Sequence, residues 1–451
     1  MERCFSSHTR KAERSSLKFL ALQGLRRTRR LTAVGVFITV YSTGIVARTR
    51  DGWRIREKSG TIFALLPAHN TLSQAYGMST KRILIVHDDR LLANLYREKL
   101  EGSGFAVDTV RALDEVPKIL ETRRPDLVLL DLVLREGGAV QFVRAWRQDP
   151  STAELPILVL PTNLGSLVNA AMQAGVNKVI ASGTHPLGSI LDTAKVTLGM
   201  PGLGGALDAP LFQPDESWLN MVLSSASESL NLMRHCLPGL ISTPPDLAAL
   251  RTLWTLVHNF ADRAALLHSK ALSRIASSLD LLMCDLNELP DQLHSGMLRT
   301  IGHAIDFMGV IADPANLTRT EEPSNARVLV VDDEEAATEF IASALQLSGI
   351  RNDHAKTSAK ALEMLDGKEC DLIFLDIGLP GMNGFELCAR VRALEAHKRT
   401  PIVFFTGMPS FQHKAQASLS GGNDFVAKPC NPAELSVKAL TWIVKNQLNM
   451  T

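Results

Sequence analysis

Two stretches of the chain are punctuated by short apolar runs rich in Val, Ile and Leu. The first holds Arg82-Ile-Leu-Ile-Val-His-Asp-Asp89, Pro125-Asp-Leu-Val-Leu-Leu-Asp131 and Pro156-Ile-Leu-Val-Leu-Pro161. The second holds Arg327-Val-Leu-Val-Val-Asp-Asp-Glu334, Cys370-Asp-Leu-Ile-Phe-Leu-Asp376 and Pro401-Ile-Val-Phe-Phe-Thr406. These runs are continuous rather than alternating, so they predict strands buried on both faces, as in parallel sheets covered by helices. Between the two stretches the pattern changes. Strand-like runs disappear, and Leu253, Val257, Phe260, Ala264, Leu267 and Ala271 recur at helical spacing. Residues 214–312 are long enough for a bundle of four or five helices. Gly/Pro-rich linkers are expected on either side, at 199–213 and 313–325.

The two strand-rich stretches are copies offset by 245 residues. Asp88 to Asp131 and Asp333 to Asp376 both span 43 residues, and Asp131 to Pro161 and Asp376 to Thr406 both span 30. The expected domains are 80–198 and 326–449, each a doubly wound α/β fold. In such folds the site lies at the carboxyl ends of the strands. Asp88 and Asp333 follow the first strands there, and Asp131 and Asp376 follow the third.

Composition fits this picture: 451 residues, 45% hydrophobic and 21% charged, ordinary globular values. Aromatic residues, at 5%, are too few for a nucleic-acid platform of stacking rings. The net charge of +1 conceals an asymmetry. Residues 1–80 carry 14 Lys/Arg and 4 Asp/Glu, a net +10; the remainder carries 34 and 43, a net −9. The acidic body gives no general case for binding a polyanion. The six cysteines form no CxxC pair, which argues against a disulfide framework or zinc site and fits a reducing cytoplasm.

The basic leader, 1–79, admits three readings. Arg26, Arg27, Arg29 and Arg30 precede an uncharged stretch, Leu31 to Ala47, at the lower limit for a membrane anchor, with Arg48 and Arg50 beyond it. A poorly ordered extension is the second. The third, favoured because the text enters a strand at once, is that translation starts at Met78.

In the C-terminal copy Asp332, Asp333 and Asp376 should converge. Carboxylates so placed repel one another unless a hard cation joins them, and oxygen-only ligation suits Mg2+. Thr406 ends the fourth strand and Lys428 the fifth, where a hydroxyl and an ammonium would meet an added phosphoryl group.

These residues resemble the receiver domains of two-component response regulators. The likeness rests on Val330-Val-Asp-Asp-Glu334, Leu375-Asp-Ile-Gly-Leu-Pro-Gly-Met-Asn-Gly384, Thr406 and Lys428-Pro429. It implies a five-stranded, flavodoxin-like parallel sheet in each copy. It also implies that Asp376 accepts a phosphoryl group from a phosphohistidine, with Asp332, Asp333, Asp376 and the backbone carbonyl of Gly378 holding Mg2+. Thr406 and Phe425 would be the switch pair.

The N-terminal copy resembles the same family with gaps. Asp88, Asp89 and Asp131 remain, but His87 replaces the first acidic residue, Pro161 the switch hydroxyl and Val179 the switch aromatic. Ser182 and Gly183 stand where Lys-Pro belongs, and Lys178 lies too early to substitute. This copy is read as a pseudo-receiver serving docking or dimerisation, with Asp131 at most weakly phosphorylated.

Within the helical segment, Val257-His-Asn-Phe-Ala-Asp-Arg-Ala-Ala-Leu-Leu267 resembles a histidine phosphotransfer (HPt) motif. His258 flanks the apolar stripe and is expected to be partly exposed. Ala261-Asp262 stands where Lys-Gly is usual, and Asp262, one turn on, would repel an incoming phosphoryl group. His268, His294 and His303 are read as structural.

No Walker loop, kinase ATP-binding motif, cyclase signature or appended DNA-binding segment is present. The reading is a cytoplasmic response regulator with no enzymatic activity beyond phosphoryl acceptance. Its donor would be a histidine kinase or phosphotransfer protein, and its output a downstream protein partner or a homodimer. Neither DNA nor a small-molecule substrate other than phosphodonors is expected. The alternatives are a relay intermediate shuttling phosphoryl between Asp376 and His258, and a non-phosphorylated scaffold.

Overall fold

The computed structural model describes residues 80–160, 165–180, 186–200, 216–242, 245–267, 269–317, 319–320, 322–407 and 419–450, with four short strands between 37 and 63. Pro161, Ser182, Gly183, Met78, His268 and most of the leader and first linker lie outside the described residues. In the leader, Phe37–Tyr41 pairs antiparallel with Gly44–Arg48, and Arg56–Lys58 with Thr61–Phe63. Within 31–47 the described residues belong to the first of these hairpins. Among the described residues no helix is long and apolar enough to cross a membrane.

The first α/β domain contains strands β1 (Arg82–Val86), β2 (Ala106–Val110), β3 (Leu127–Leu130), β4 (Ile157–Val159) and β5 (Lys178–Val179). All pair in parallel, in the order β2-β1-β3-β4-β5. Helices α1 (Arg90–Glu101), α2 (Val116–Thr122), α3 (Ala139–Gln148), α4 (Gly165–Ala174) and α5 (Pro186–Thr197) alternate with them. The apolar runs of β1, β3 and β4 are buried, as continuous runs require, whereas edge strand β2 is half-exposed.

Four long helices follow: α6 (Glu216–Ile241), α7 (Leu247–Leu266), α8 (Lys270–Glu288) and α9 (Ser295–Ile311). Asp246 caps α7 by accepting from the Ala248 and Ala249 amides, and Ser269 caps α8 through the Leu272 amide. His294 caps α9 by accepting from Met297 N–H at 3.2 Å, a structural role. The helical stripe Leu253, Val257, Phe260, Ala264, Leu267 and Ala271 is buried throughout.

The second α/β domain repeats the first, with β6 (Arg327–Val331), β7 (Arg351–Ala355), β8 (Leu372–Leu375), β9 (Ile402–Thr406) and β10 (Asp424–Ala427) in the order β7-β6-β8-β9-β10. Its described helices are α10 (Glu335–Leu347), α11 (Ser358–Leu365), α12 (Gly384–Ala393) and α13 (Pro432–Gln447). Helix α13 is buried along most of its length between its own sheet and the bundle. Polar ties reinforce this packing: Asn431 Nδ2 donates to Asp285 at 3.0 Å, and Thr300 Oγ1 to Glu434 at 2.9 Å.

The described part of 313–325 contains short ordered turns. Pro314–Leu317 and Pro323–Asn325 form short helical turns, and Glu322 pairs with Lys270 at 2.5 Å and Arg274 at 3.1 Å.

Candidate functional site

Two carboxylate pockets sit at the strand ends, one per α/β domain. In the second domain β6 delivers Asp332, β8 delivers Asp376, and the segment after β10 delivers Lys428. Lys428 Nζ lies 2.7 Å from Asp332 Oδ2 and 3.2 Å from Asp376 Oδ1. Burial pushes the Asp332 carboxyl up despite this partner, while the two carboxylates hold the Lys428 ammonium above its ordinary value against burial. The loop after β8 turns back tightly: Gly378 N–H donates to Asp376 Oδ2 at 2.5 Å. A Cβ at Gly384 would strike the Asp376 carbonyl, so glycine lets α12 start against the strand end. Thr406 and Phe425 are buried at the ends of β9 and in β10. Asp333, Glu334 and Gly378 are exposed on the rim. Asp332, Asp376 and Lys428 are therefore brought together, and Asp333 stands at the mouth. The all-oxygen donors fit a hard divalent cation.

The first pocket has the same address and different surroundings. His87, Asp88 and Asp131 are 0%, 5% and 3% exposed because helix α7 of the bundle lies over them. Asn259 Nδ2 donates to Asp88 Oδ1 at 3.0 Å, and Arg263 Nε lies 3.3 Å from Asp89 Oδ2. His258 points directly in. Its Nδ1 is 2.8 Å from Asp280 Oδ2 of α8, and its Nε2 is 3.4 Å from Asp131 Oδ1 and 3.8 Å from Asp262 Oδ2. The expectation of a partly exposed His258 is thus corrected: it is 1% exposed. The helical periodicity placed it beside the apolar stripe correctly, but the neighbouring domain covers that face.

Electrostatics follow from this burial. Desolvation raises the Asp88 carboxyl and pushes Asp262 up to about 7. Burial also acts to raise Asp131, but His87 and then His258 more than offset it, leaving it below the ordinary value. Burial works against the His258 imidazolium, yet Asp280, Asp262 and Asp131 together hold its pKa well above the usual histidine value.

An apolar seam completes the seal. Val133 packs with Cys284, beside Leu167, Trp254 and Leu281. At the offset of 245, Val133 corresponds to the exposed Gly378. An apolar residue in a loop whose counterpart is an exposed glycine was the sequence signal for this contact. Asn259, Arg263 and Asp280 carried no comparable signal. Of the remaining first-copy positions, Lys178 is exposed and Val179 half-buried. His303 is exposed, and desolvation by the groups around it lowers its pKa.

The match to a known family agrees with the two α/β domains. The response regulator receiver domain model matches residues 83–184 and 328–440. The transcriptional regulatory protein YvrH of Bacillus subtilis is 36% identical over 115 residues, 25% of this chain and 47% of its own length. The heme response regulator HssR of Staphylococcus epidermidis is 33% identical over 122 residues, 27% of this chain and 53% of its own. Among solved structures, the chemotaxis protein CheY4 of Vibrio cholerae is 32% identical, with 24% of this chain and 92% of that chain covered and a TM-score of 0.24. The chain spans about half the length of the curated relatives it matches. It carries two response regulator receiver domains, with a helical region between them.

Proposed function

We propose that the protein is a response regulator of two-component signal transduction whose working site is Asp376. The observation that carries this is the Asp332–Lys428–Asp376 constellation at an exposed rim, with Lys428 Nζ 3.2 Å from Asp376 Oδ1. An Asp376 carboxylate oxygen attacks the phosphorus of a phosphohistidine, the P–N bond breaks, and the neutral imidazole leaves after taking a proton. Lys428 places a positive charge beside the acyl phosphate so formed. Mg2+ held by Asp332, Asp333, Asp376 and the Gly378 carbonyl would neutralise the remaining phosphoryl charge. Thr406 then turns toward the phosphoryl group and Phe425 follows inward, altering the surface offered to a protein partner. The donor is a histidine kinase or phosphotransfer protein.

The first receiver acts as a docking module for the HPt-like bundle. Its Asp131 and the bundle's His258 face each other, which removes both from external phosphodonors. Phos-tag electrophoresis with acetyl phosphate and Mg2+ tests the assignment. A single retarded band is expected that disappears in Asp376→Asn; a band surviving that substitution refutes it.

A further inference from the structure

We infer that His87, Asp88, Asp131 and His258 form a site for a first-row transition-metal dication, best matched by Zn2+, that joins the first receiver to the helical bundle.

Ligand atoms of His87, Asp88 and Asp131 all lie within 4.8 Å of one another, and all three residues are buried. His87 Nδ1 is 3.5 Å from Asp131 Oδ2 and 3.9 Å from Asp88 Oδ1, and His258 Nε2 is 3.4 Å from Asp131 Oδ1. Four ligands about 2.1 Å from one ion stand roughly 3.4 Å apart at the edges of a tetrahedron. Three of the six separations among these residues are 3.4–3.9 Å, with His87 and His258 facing different oxygens of Asp131, so His258 approaches the tighter His87–Asp88–Asp131 group from the Asp131 side.

Four buried atoms of these residues have no hydrogen-bond partner: His258 Nε2, Asp131 Oδ2, Asp88 Oδ2 and His87 Nε2. Orphaned buried polar atoms are costly unless something satisfies them. The 3.4 Å approach of His258 Nε2 to Asp131 lacks hydrogen-bond geometry. Of the other groups at the site, the Asp89 amide reaches His87 Nδ1 only at a long 3.3 Å, a contact an ion would displace. Arg135, mostly exposed, lies 3.5 Å from Asp88 Oδ2 and is free to swing outward.

The chemistry of the donors selects the metal. Two imidazoles and two carboxylates do not suit Mg2+ or Ca2+, which prefer oxygen alone, whereas imidazole with carboxylate suits Zn2+ and its neighbours. Two carboxylates also neutralise a dication. Replacing the first acidic residue by His87 therefore changes the class of cation the pocket takes. His258 is held as metal-bound histidines usually are: its far nitrogen donates to a carboxylate, Asp280, at 2.8 Å, and Trp254 Nε1 fixes that carboxylate in turn at 3.1 Å. Because three ligands come from the receiver and one from the bundle, binding and docking are coupled.

The test uses the full-length chain, stripped with a chelator and titrated with Co2+ as a spectroscopic stand-in. The expected result is about one equivalent bound with the intense visible bands of a four-coordinate site, unchanged in Asp376→Asn. His87→Ala and His258→Ala should each abolish those bands. Asp280→Asn keeps the side-chain shape, so it guards against misfolded variants, and it should weaken Co2+ binding by about 10- to 100-fold. Zn2+ should displace Co2+ and raise the thermal midpoint of the wild-type chain but not of His258→Ala. Bands that persist in both histidine variants, weak octahedral bands alone, or no Co2+ binding by the folded wild-type chain would overturn the inference.

Discussion

The two receiver domains share a sheet order, the register of their first four strands and the position of the central aspartate, yet one pocket is open and the other is closed. Around Asp376, the first-strand pair Asp332-Asp333 is joined by Lys428, and the rim residues Asp333, Glu334 and Gly378 face outward. Around Asp131, the matching rim is turned inward: Val133 packs on Cys284, and Asn259 and His258 reach down from α7. A receiver pocket is a ring of carboxylates that must be neutralised. The second domain does this with a lysine and leaves its rim exposed. The first does it with His87 and groups from the bundle, and those groups close its mouth. The difference separates a pocket open at its rim from one covered by the bundle.

The comparison breaks most sharply at the central aspartates. Asp376→Asn is expected to abolish phosphorylation by a small phosphodonor, and Asp131→Asn to leave band intensity unchanged on a Phos-tag gel. Equal losses from both would erase the distinction. Next in size is the seam. Val133→Asp buries a charge without a partner and should cost about 4 kcal/mol, with faster hydrogen exchange across α7 and β3. Val133→Gly, which gives the first loop its counterpart's residue, should cost roughly 2 kcal/mol by leaving a cavity beside Cys284. Both are read from urea midpoints. On the second domain, Thr300→Val leaves buried Glu434 Oε1 without its donor and should cost about 1–2 kcal/mol.

The smallest effect is the pH dependence that Asp424 of the second domain contributes. Burial acts to raise the Asp424 carboxyl, but Lys438 at 2.7 Å, the Phe425 amide and the Trp442 indole outweigh it, so its pKa lies below the ordinary value. A depressed carboxyl contributes stability that is full above its unfolded pKa and is lost as pH falls through the folded one. The urea midpoint should therefore decline below about pH 4, and less steeply in Lys438→Met. An equal slope in that variant would remove Asp424 from the account.

Much of this was legible beforehand, for specific reasons. Parallel strands covered on both faces leave continuous apolar runs, so Ile83–Val86 and Val328–Val331 announced themselves, and the offset of 245 fixed the third and fourth strands. The second pocket was legible because its residues sit at strand ends, where the fold alone decides their position. Asp332, Asp376 and Lys428 meet as expected; Asp333 lies further out. The first pocket was only half legible. His87 and the missing lysine were visible as departures, but their compensation comes from α7 and α8, more than 100 residues away. Nothing local to His258 reports that a second domain covers it. A helical period gives the face of a residue and not what is packed against that face.

Helix α8 is 19 residues long, about 28 Å from end to end. On one side Asp280 holds His258 and Cys284 touches Val133. On the other, Ser278 meets Ser348 and Asp285 meets Asn431 at the start of α13. Ser278 and Asp280 are separated by only about 3 Å of helix axis. The helix is in this sense a party wall between neighbours. Its backbone cannot shorten, so it cannot slide to suit one receiver without carrying the other's contacts with it. Removing either receiver strips one face of the wall, and the remaining pair loses the load that kept it in register.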